Sequence, residues 1–277
     1  MNKRSLAKNL IAKPFSKLFA NAGRLSTLVQ GELNPVYTVN LSNGKGIKFS
    51  CPNPTTLWRA QTLLSKEPDT IEWIDSFKKG DILYDVGANV GCYSLYAALK
   101  KKCRVYAFEP ESLNYGVLNR NIHLNGIDDK VQAYNIAVSS QAELGELNLK
   151  VFDYGGALHN FGEAVDYKKE QFAPSFRQGV LALSLDYMVS ELKLPIPDHI
   201  KIDVDGLEQQ IFQGASELLK NKKIKSVLIE LNEALRGDME LIEQFEKLGF
   251  KLFKDAHTAI VDKSSFSSVH NYIFKRY

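Results

Sequence analysis

Three features of the amino-acid sequence predict an α/β fold, a largely parallel sheet with helices on both faces. From residue 81 onward, short apolar runs alternate with stretches of helical periodicity. Those runs are apolar throughout instead of polar at every second position, which is how strands read when both faces are buried. The first run passes directly into a glycine-containing turn and then a helix, the junction at which open α/β sheets place their ligands.

The length of 277 residues allows one large domain or two small ones. With 44% hydrophobic and 24% charged residues, the composition is that of an ordinary globular chain and excludes a disordered protein, a collagen and a coiled coil. Cys51, Cys92 and Cys103 are odd in number and lack CxxC spacing, so neither a disulfide framework nor a structural zinc site is expected. A reducing compartment follows, and a cytoplasmic location is the expectation. No apolar run approaches the roughly 18 residues of a membrane span, and the N-terminus reads as no secretory signal.

Residues 1–31 form a basic arm with six Lys or Arg and no acid. Removing those six from the 35 basic residues leaves 29 against 32 acidic ones, so the remainder has no footprint for nucleic acid. Leu6, Leu10, Phe15, Leu18 and Phe19 recur at roughly helical spacing, interrupted at Pro14. Two readings stay open: peripheral contact with an anionic inner membrane surface, or packing or disorder of the arm itself. Residues 34–51 alternate like strands around Asn43-Gly44, a hairpin signal. The expected division is an N-terminal arm with a small β-containing extension over 1–60, then a main domain over 61–277 with an insertion at about 140–186.

Within the main domain a helix is expected over 67–78, ended by Lys79-Gly80. Ile82-Leu-Tyr-Asp-Val reads as the first main strand, with a helix from about 90 to 101. Arg104–Phe108, Val131–Ile136, His199–Asp203 and Ser226–Glu230 read as further strands, with helices over about 112–125, 208–220 and 236–248. Residues 146–152 and 179–185 read as an extra strand pair around a loop rich in glycine and polar residues, and 250–253 and 271–276 as strands closing the sheet.

The most informative segment is Asp85-Val-Gly-Ala-Asn-Val-Gly91. Gly87 and Gly91 allow close backbone approach and tight helix–strand packing. Glu109 ends the next strand, placed to accept two hydrogen bonds from ribose hydroxyls. The dinucleotide fingerprint GxGxxG fails, because its third place is Asn89 and its sixth is Cys92. The phosphate loop GxxxxGK[ST] fails too. An acid two residues before the first glycine suits a cationic ammonium better than a pyrophosphate. S-adenosylmethionine, with an ammonium, a ribose and an adenine, fits.

At this point the sequence resembles the FkbM-type branch of the class I S-adenosylmethionine-dependent methyltransferases. The matching pieces are Glu67-Pro68, Asp85–Gly91, Phe108-Glu-Pro110, Asn121 with Asn125-Gly126, Asn135 to Val138, Ser184-Leu-Asp186, Lys201-Ile-Asp-Val-Asp-Gly206 with Glu208, Ile229-Glu230, and Asn271-Tyr-Ile-Phe274. They occur in the family's order over about 67–275. The family usually has Glu where this chain has Asp205. The resemblance implies a Rossmann-like, seven-stranded, mostly parallel sheet and O-methylation of a hydroxyl on a saccharide, glycan or secondary metabolite. It implies cofactor contacts at Asp85, Gly87, Ala88, Asn89, Gly91, Glu109, Asn135 and Ala137.

Asp203 and Glu230 end adjacent strands and are the candidate catalytic residues, a hydroxyl acceptor inviting a general base. Capping of the Asp-Gly turn is the competing reading for Asp203 and the favoured one for Asp205. None of His123, His159, His199, His257 and His270 pairs at HxxxH or HExxH spacing, so no metal is expected. His159 and His270 could reach an acceptor pocket, but solvated loop histidines are the simpler reading. Asp203-Val-Asp-Gly stands where base-methylating enzymes carry [DN]PP[YF], which disfavours a nucleobase acceptor. The rivals are a non-catalytic cofactor-binding scaffold of the same fold and an NAD-type oxidoreductase. The sequence leaves oligomeric state open.

Overall fold

The computed structural model describes residues 33–41, 44, 46–256 and 268–276. The expectations for the arm, for Asn43 and for His257 lie outside these residues. The chain divides into two compact units, residues 1–36 and 37–277. Of the first, only residues 33–36 are among those described.

In chain order the elements are β1 (Val36–Asn40), β2 (Gly46–Ser50), α1 (Pro54–Thr62), α2 (Pro68–Asp75), β3 (Ile82–Val86), α3 (Cys92–Tyr96), β4 (Arg104–Phe108), α4 (Ser112–Asn125) and β5 (Val131–Tyr134). Then follow β6 (Ala137–Val138), β7 (Glu143–Leu149), β8 (Asn160–Phe161), β9 (Phe176–Leu183), α5 (Leu185–Ser190), β10 (His199–Ile202) and α6 (Glu208–Gln213). The chain closes with β11 (Ser226–Asn232), α7 (Arg236–Lys247), β12 (Lys251–Ala256) and β13 (Val269–Lys275). The main sheet has seven strands in the order β12-β13-β11-β10-β3-β4-β5. All pairs from β11 to β5 are parallel, and β13 runs antiparallel to both its neighbours.

The core explains why β3 reads as an unbroken apolar run. Tyr84 and Val86 pack on one face with Phe108, Ile200 and Ile202. Leu83 packs on the other face with Val105, Ala107, Leu95 and Leu118. Alternation is present in space but both faces are covered, so it disappears from the sequence.

Three expectations are corrected in detail. The hairpin β1–β2 does not form a separate extension ending at residue 60. Val39, Leu41, Ile47 and Phe49 are instead buried in the same core as Leu83 and Leu118, and the second unit begins at Tyr37. The helix expected over 90–101 is α-helical only to Tyr96. It continues as a π-turn over Ala97–Lys101, ended by Lys102 in the left-handed region at φ 60°. Helix α1 was not foreseen. Its signal lies in Asn53-Pro54-Thr-Thr56: Asn53 Oδ1 accepts from the Thr56 N–H at 2.9 Å, the Asn53 N–H reaches Thr56 Oγ1 at 3.3 Å, and proline takes the first helical position.

The expected insertion forms its own four-stranded sheet, in the order β6-β9-β7-β8. Its loop 153–159 is a strap tied to four other elements. Among the described residues, no helix is long and apolar enough to cross a membrane.

Candidate active site

The sheet reverses direction of growth between β3 and β10: β4 and β5 add on one side of β3, and β11 lies beyond β10. Such a switch point opens a crevice at the carboxyl ends of the strands. A cleft open to solvent lies there. The turn Gly87–Val90 forms one wall, Lys201 and Asp203 lie on another side, and Arg59, Lys66 and Glu67 close it. The last three come from α1 and the segment joining it to α2, so the unforeseen helix supplies part of the site.

The two glycines of the turn answer to the protein itself. Gly87 has φ +80°, and a Cβ there would stand 1.9 Å from the Asp203 carbonyl oxygen. Gly91 has φ +86°, and a Cβ would meet Leu118 Cδ1 of α4 at 2.4 Å. The amides of the turn are likewise spent internally. Gly87 and Ala88 donate to the Phe108 carbonyl at 3.0 and 3.1 Å, and Gly91 donates to the Ala88 carbonyl at 2.8 Å. Asn89 N–H donates to Glu109 Oε2 at 2.7 Å, and Val90 N–H to Asn89 Oδ1 at 2.9 Å. A phosphate-binding loop needs these N–H groups free.

Glu109 follows β4 directly. Besides the Asn89 bond, its Oε1 accepts from the Glu111 N–H at 2.9 Å. Burial pushes its carboxyl up to about 7 against the pull of those two bonds. Asp85 is buried beneath the turn. Its Oδ2 accepts from Ser94 Oγ at 2.5 Å, whereas Oδ1 is buried with no partner among the described residues. Burial raises its pKa too.

Lys201 and Asp203 form a 2.5 Å ion pair at the end of β10. Burial opposes the Lys201 charge, but Asp203, Asp85 and Glu67 outweigh it and hold its pKa above the usual lysine value. For Asp203, burial is likewise outweighed, by Lys201 and Lys66, so its carboxyl lies below the usual range. Glu230 sits one residue beyond the Ile202–Ile229 register pair. Burial and the charges of Asp203, Asp205 and Glu208 push it well above the usual range. Two neighbouring carboxyls thus have opposite protonation tendencies, an arrangement that separates proton acceptor from proton holder.

Other residues named from sequence fall elsewhere. Asn135 Nδ2 donates to the carbonyls of Glu109 and Pro110, at 2.9 Å each, and so fixes the chain after β4. Ala137 is buried in β6, paired with Ala182 in the second sheet, and does not border the cleft. Asp205, at φ +59°, accepts the Leu158 N–H at 2.6 Å, so it holds the strap and not its own turn. His159 is not solvated: both ring nitrogens are buried without partners, and burial together with Arg59 lowers it to about 4. His199 lies at the opposite end of β10, between Ser226 and Asp81.

The strap crosses this edge. Asn89 and Asn114 side-chain amides both donate to the Gly156 carbonyl, at 2.7 and 3.1 Å. The Gly155 N–H donates to Asn114 Oδ1 at 2.7 Å, and its carbonyl accepts from Arg59 Nε at 2.9 Å. None of these partners was foreseen, because the contacts join residues 40 to 100 positions apart in sequence.

The methyltransferase FkbM domain matches residues 85–252, more than half of the chain. Methyltransferase sdnD of Sordaria araneosa is 27% identical over 209 residues, 66% of this chain and 78% of that protein. The hexuronic acid methyltransferase AglP of Haloferax volcanii is 22% identical over 190 residues, 69% of this chain and 72% of that protein. The crystal structure of an FkbM methyltransferase from Methylobacillus flagellatus superposes with a TM-score of 0.48 at 15% identity, covering 72% of this chain but only 44% of that one. The chain belongs to the FkbM methyltransferase family.

Proposed function

We propose that this protein transfers a methyl group from S-adenosylmethionine to a hydroxyl of a saccharide, glycan or secondary metabolite. The observation that carries the cofactor reading is the pair of carboxylates at a turn with no amide to spare. Five turn amides are bonded internally, so a pyrophosphate has nothing to bind, which counts against the NAD-type rival. Asp85 and Glu109 at adjacent strand ends suit an ammonium and a ribose, and the unpartnered Asp85 Oδ1 is the kind of buried atom a bound cation would satisfy.

When bound, the cofactor supplies an electrophilic methyl group on a sulfonium. Glu109 would accept the ribose hydroxyls with the lone pairs its two backbone bonds leave free. Asp203, ionised and bordering the cleft, would accept the acceptor hydroxyl's hydrogen bond and take its proton at a carboxylate oxygen. Glu230, held protonated, would keep a second negative charge away from the same spot. Lys201 fixes Asp203 through their ion pair. Alignment of acceptor, methyl and sulfur then accounts for much of the rate, up to about 7–11 kcal/mol. The name of the archaeal relative, a hexuronic acid methyltransferase, supports a sugar hydroxyl as the first acceptor class to try.

The test is direct. Purified protein is incubated with S-adenosylmethionine and a panel of hexuronic acids, neutral saccharides and phenolic alcohols, and each is examined by mass spectrometry for the gain of one methylene. The reading expects transfer to an oxygen, with Asp203→Asn at least about tenfold slower and S-adenosylhomocysteine affinity within a few-fold of wild type. Transfer to nitrogen or carbon overturns the hydroxyl assignment. Collapse of cofactor affinity in Asp203→Asn overturns the role given to Asp203.

A further inference from the structure

The cleft contains three cations, and their partners differ. Lys66 pairs with Glu67 at 2.7 Å and Lys201 with Asp203 at 2.5 Å. Arg59 has no carboxylate partner among the described residues. Its Nε is spent on the Gly155 carbonyl at 2.9 Å, which leaves both terminal nitrogens without a partner among those residues. A half-buried guanidinium bordering a cleft with its fork open favours an anion, and its fixed planar geometry matches a carboxylate bidentately.

The opposite charge is present in the same cleft. Glu67 and Asp203 border it, and burial works against both charges. Both carboxylates are already paired with lysines, so the open charge at the cleft among the described residues is the Arg59 guanidinium. With the Asp85 carboxylate read above as the ammonium's partner, this guanidinium completes the complement of a zwitterionic α-amino acid.

We propose that Arg59 binds the carboxylate at the amino acid end of the methyl donor, with the ammonium left to Asp85. This rests on the S-adenosylmethionine reading above. Arg59 belongs to α1, outside the segment that matches the family, residues 85–252. The site is thus completed by a helix that lies before the methyltransferase core in sequence. Through its Nε the same residue touches the strap, so one guanidinium joins the donor's carboxylate to the loop that crosses the cleft edge.

Calorimetry on the full chain tests the inference with three ligands: S-adenosylhomocysteine, its descarboxy analogue, and methylthioadenosine, which lacks the whole amino acid end. Wild type is expected to prefer S-adenosylhomocysteine over the descarboxy analogue by about 10- to 100-fold, the range for loss of a charge-assisted bidentate contact. Arg59→Gln should abolish that preference while leaving methylthioadenosine affinity within about twofold, and Arg59→Lys should restore part of it. Full preference retained in a folded Arg59→Gln overturns the inference. So does equal weakening of all three ligands, which would show that Arg59 acts only by holding the strap. If wild type binds none of the three, the cofactor reading falls and takes this inference with it. If it binds all three equally, the cofactor reading stands and the role of Arg59 falls alone.

Discussion

The two ends of strand β10 carry similar side chains and treat them in opposite ways. At its start, His199 Nδ1 meets Ser226 Oγ at 2.7 Å and Nε2 meets Asp81 Oδ2 at 3.0 Å. Lys225 bridges Asp81 and Asp198 at 2.7 and 2.9 Å, and Trp73 Nε1 donates to Ser226 Oγ at 2.8 Å. Phe77 stacks on the imidazole with ring centroids 3.6 Å apart. Arg276, whose Nε lacks a partner, still gives its terminal nitrogens to four backbone carbonyls. At the finish of β10, by contrast, Asp85 Oδ1 and both nitrogens of His159 are buried without partners among the described residues, and Arg59 has no counter-ion among them. A buried polar group left open costs about 1–3 kcal/mol. The start of the strand removes most of that cost within the chain, Arg276 Nε excepted, and the finish retains it at Asp85 and His159. Open bonding capacity, more than charge or burial, separates the functional end from the structural one.

The sharpest way to break this contrast is at Gly87, where the functional end leans on the fold. Gly87→Ala places a methyl against the Asp203 carbonyl at φ +80°. The expected loss exceeds about 4 kcal/mol, read as failure to give a cooperative thermal transition. A well-folded variant would show that the β3–β10 contact yields.

pH separates the two ends next. Burial lowers folded His199 to about 4, against 6.5 for an unperturbed imidazole. The unfolded chain therefore binds the extra proton, and the stability involved is complete above pH 6.5 and lost as pH falls toward 4. The loss from this one group is up to about 3 kcal/mol, and urea unfolding between pH 7 and 4 measures it. His199→Leu should be less stable at pH 7 but show a flatter pH dependence, with S-adenosylhomocysteine affinity unchanged.

Glu109 shows the reverse sign. Its folded carboxyl titrates at about 7, and accepting two ribose hydroxyls favours the ionised form. Affinity for S-adenosylhomocysteine should therefore rise with pH up to about 7 and then level. Glu109→Gln should weaken binding by about 1.5–3 kcal/mol and flatten this profile. Glutamine is the better probe than alanine, because Glu109 also holds the Asn89 and Glu111 amides. A pH-independent wild-type affinity would move the ribose acid elsewhere. The smallest expected effect is that of Trp73→Phe, which removes one donor from Ser226. It should cost about 1–2 kcal/mol of stability and leave methyl transfer unchanged.

What was legible in the sequence follows the same division. The main strands and the helices over 112–125 and 236–247 were legible because each buries a continuous run or a single face, which local composition records. The place of Asp85, Glu109, Asp203 and Glu230 at one sheet edge was legible because strand ends converge there whatever the loops do. Arg59 was not, since nothing in residues 53–66 announces a site; only the fold brings α1 beside Gly87. Ala137 lies away from the cleft for a related reason. It lies near the motif in sequence, but β6 diverts it into the second sheet. The glycines were read as room for a ligand, and their immediate neighbours are Asp203 and Leu118. A turn's shape is visible in sequence, but what fills the space beside it is not.

The strap has a consequence in time. Residues 154–158 are held by Asn53, Arg59, Asn89, Asn114 and Asp205, which belong to α1 and its cap, the glycine turn, α4 and the turn after β10. No one of those elements can release the loop alone, so it opens as a unit. The amides of Gly155 and Leu158, both donated to side-chain oxygens, should then exchange with solvent hydrogen at a single shared rate. That rate is a clock for the edge of the cleft, readable without substrate or turnover.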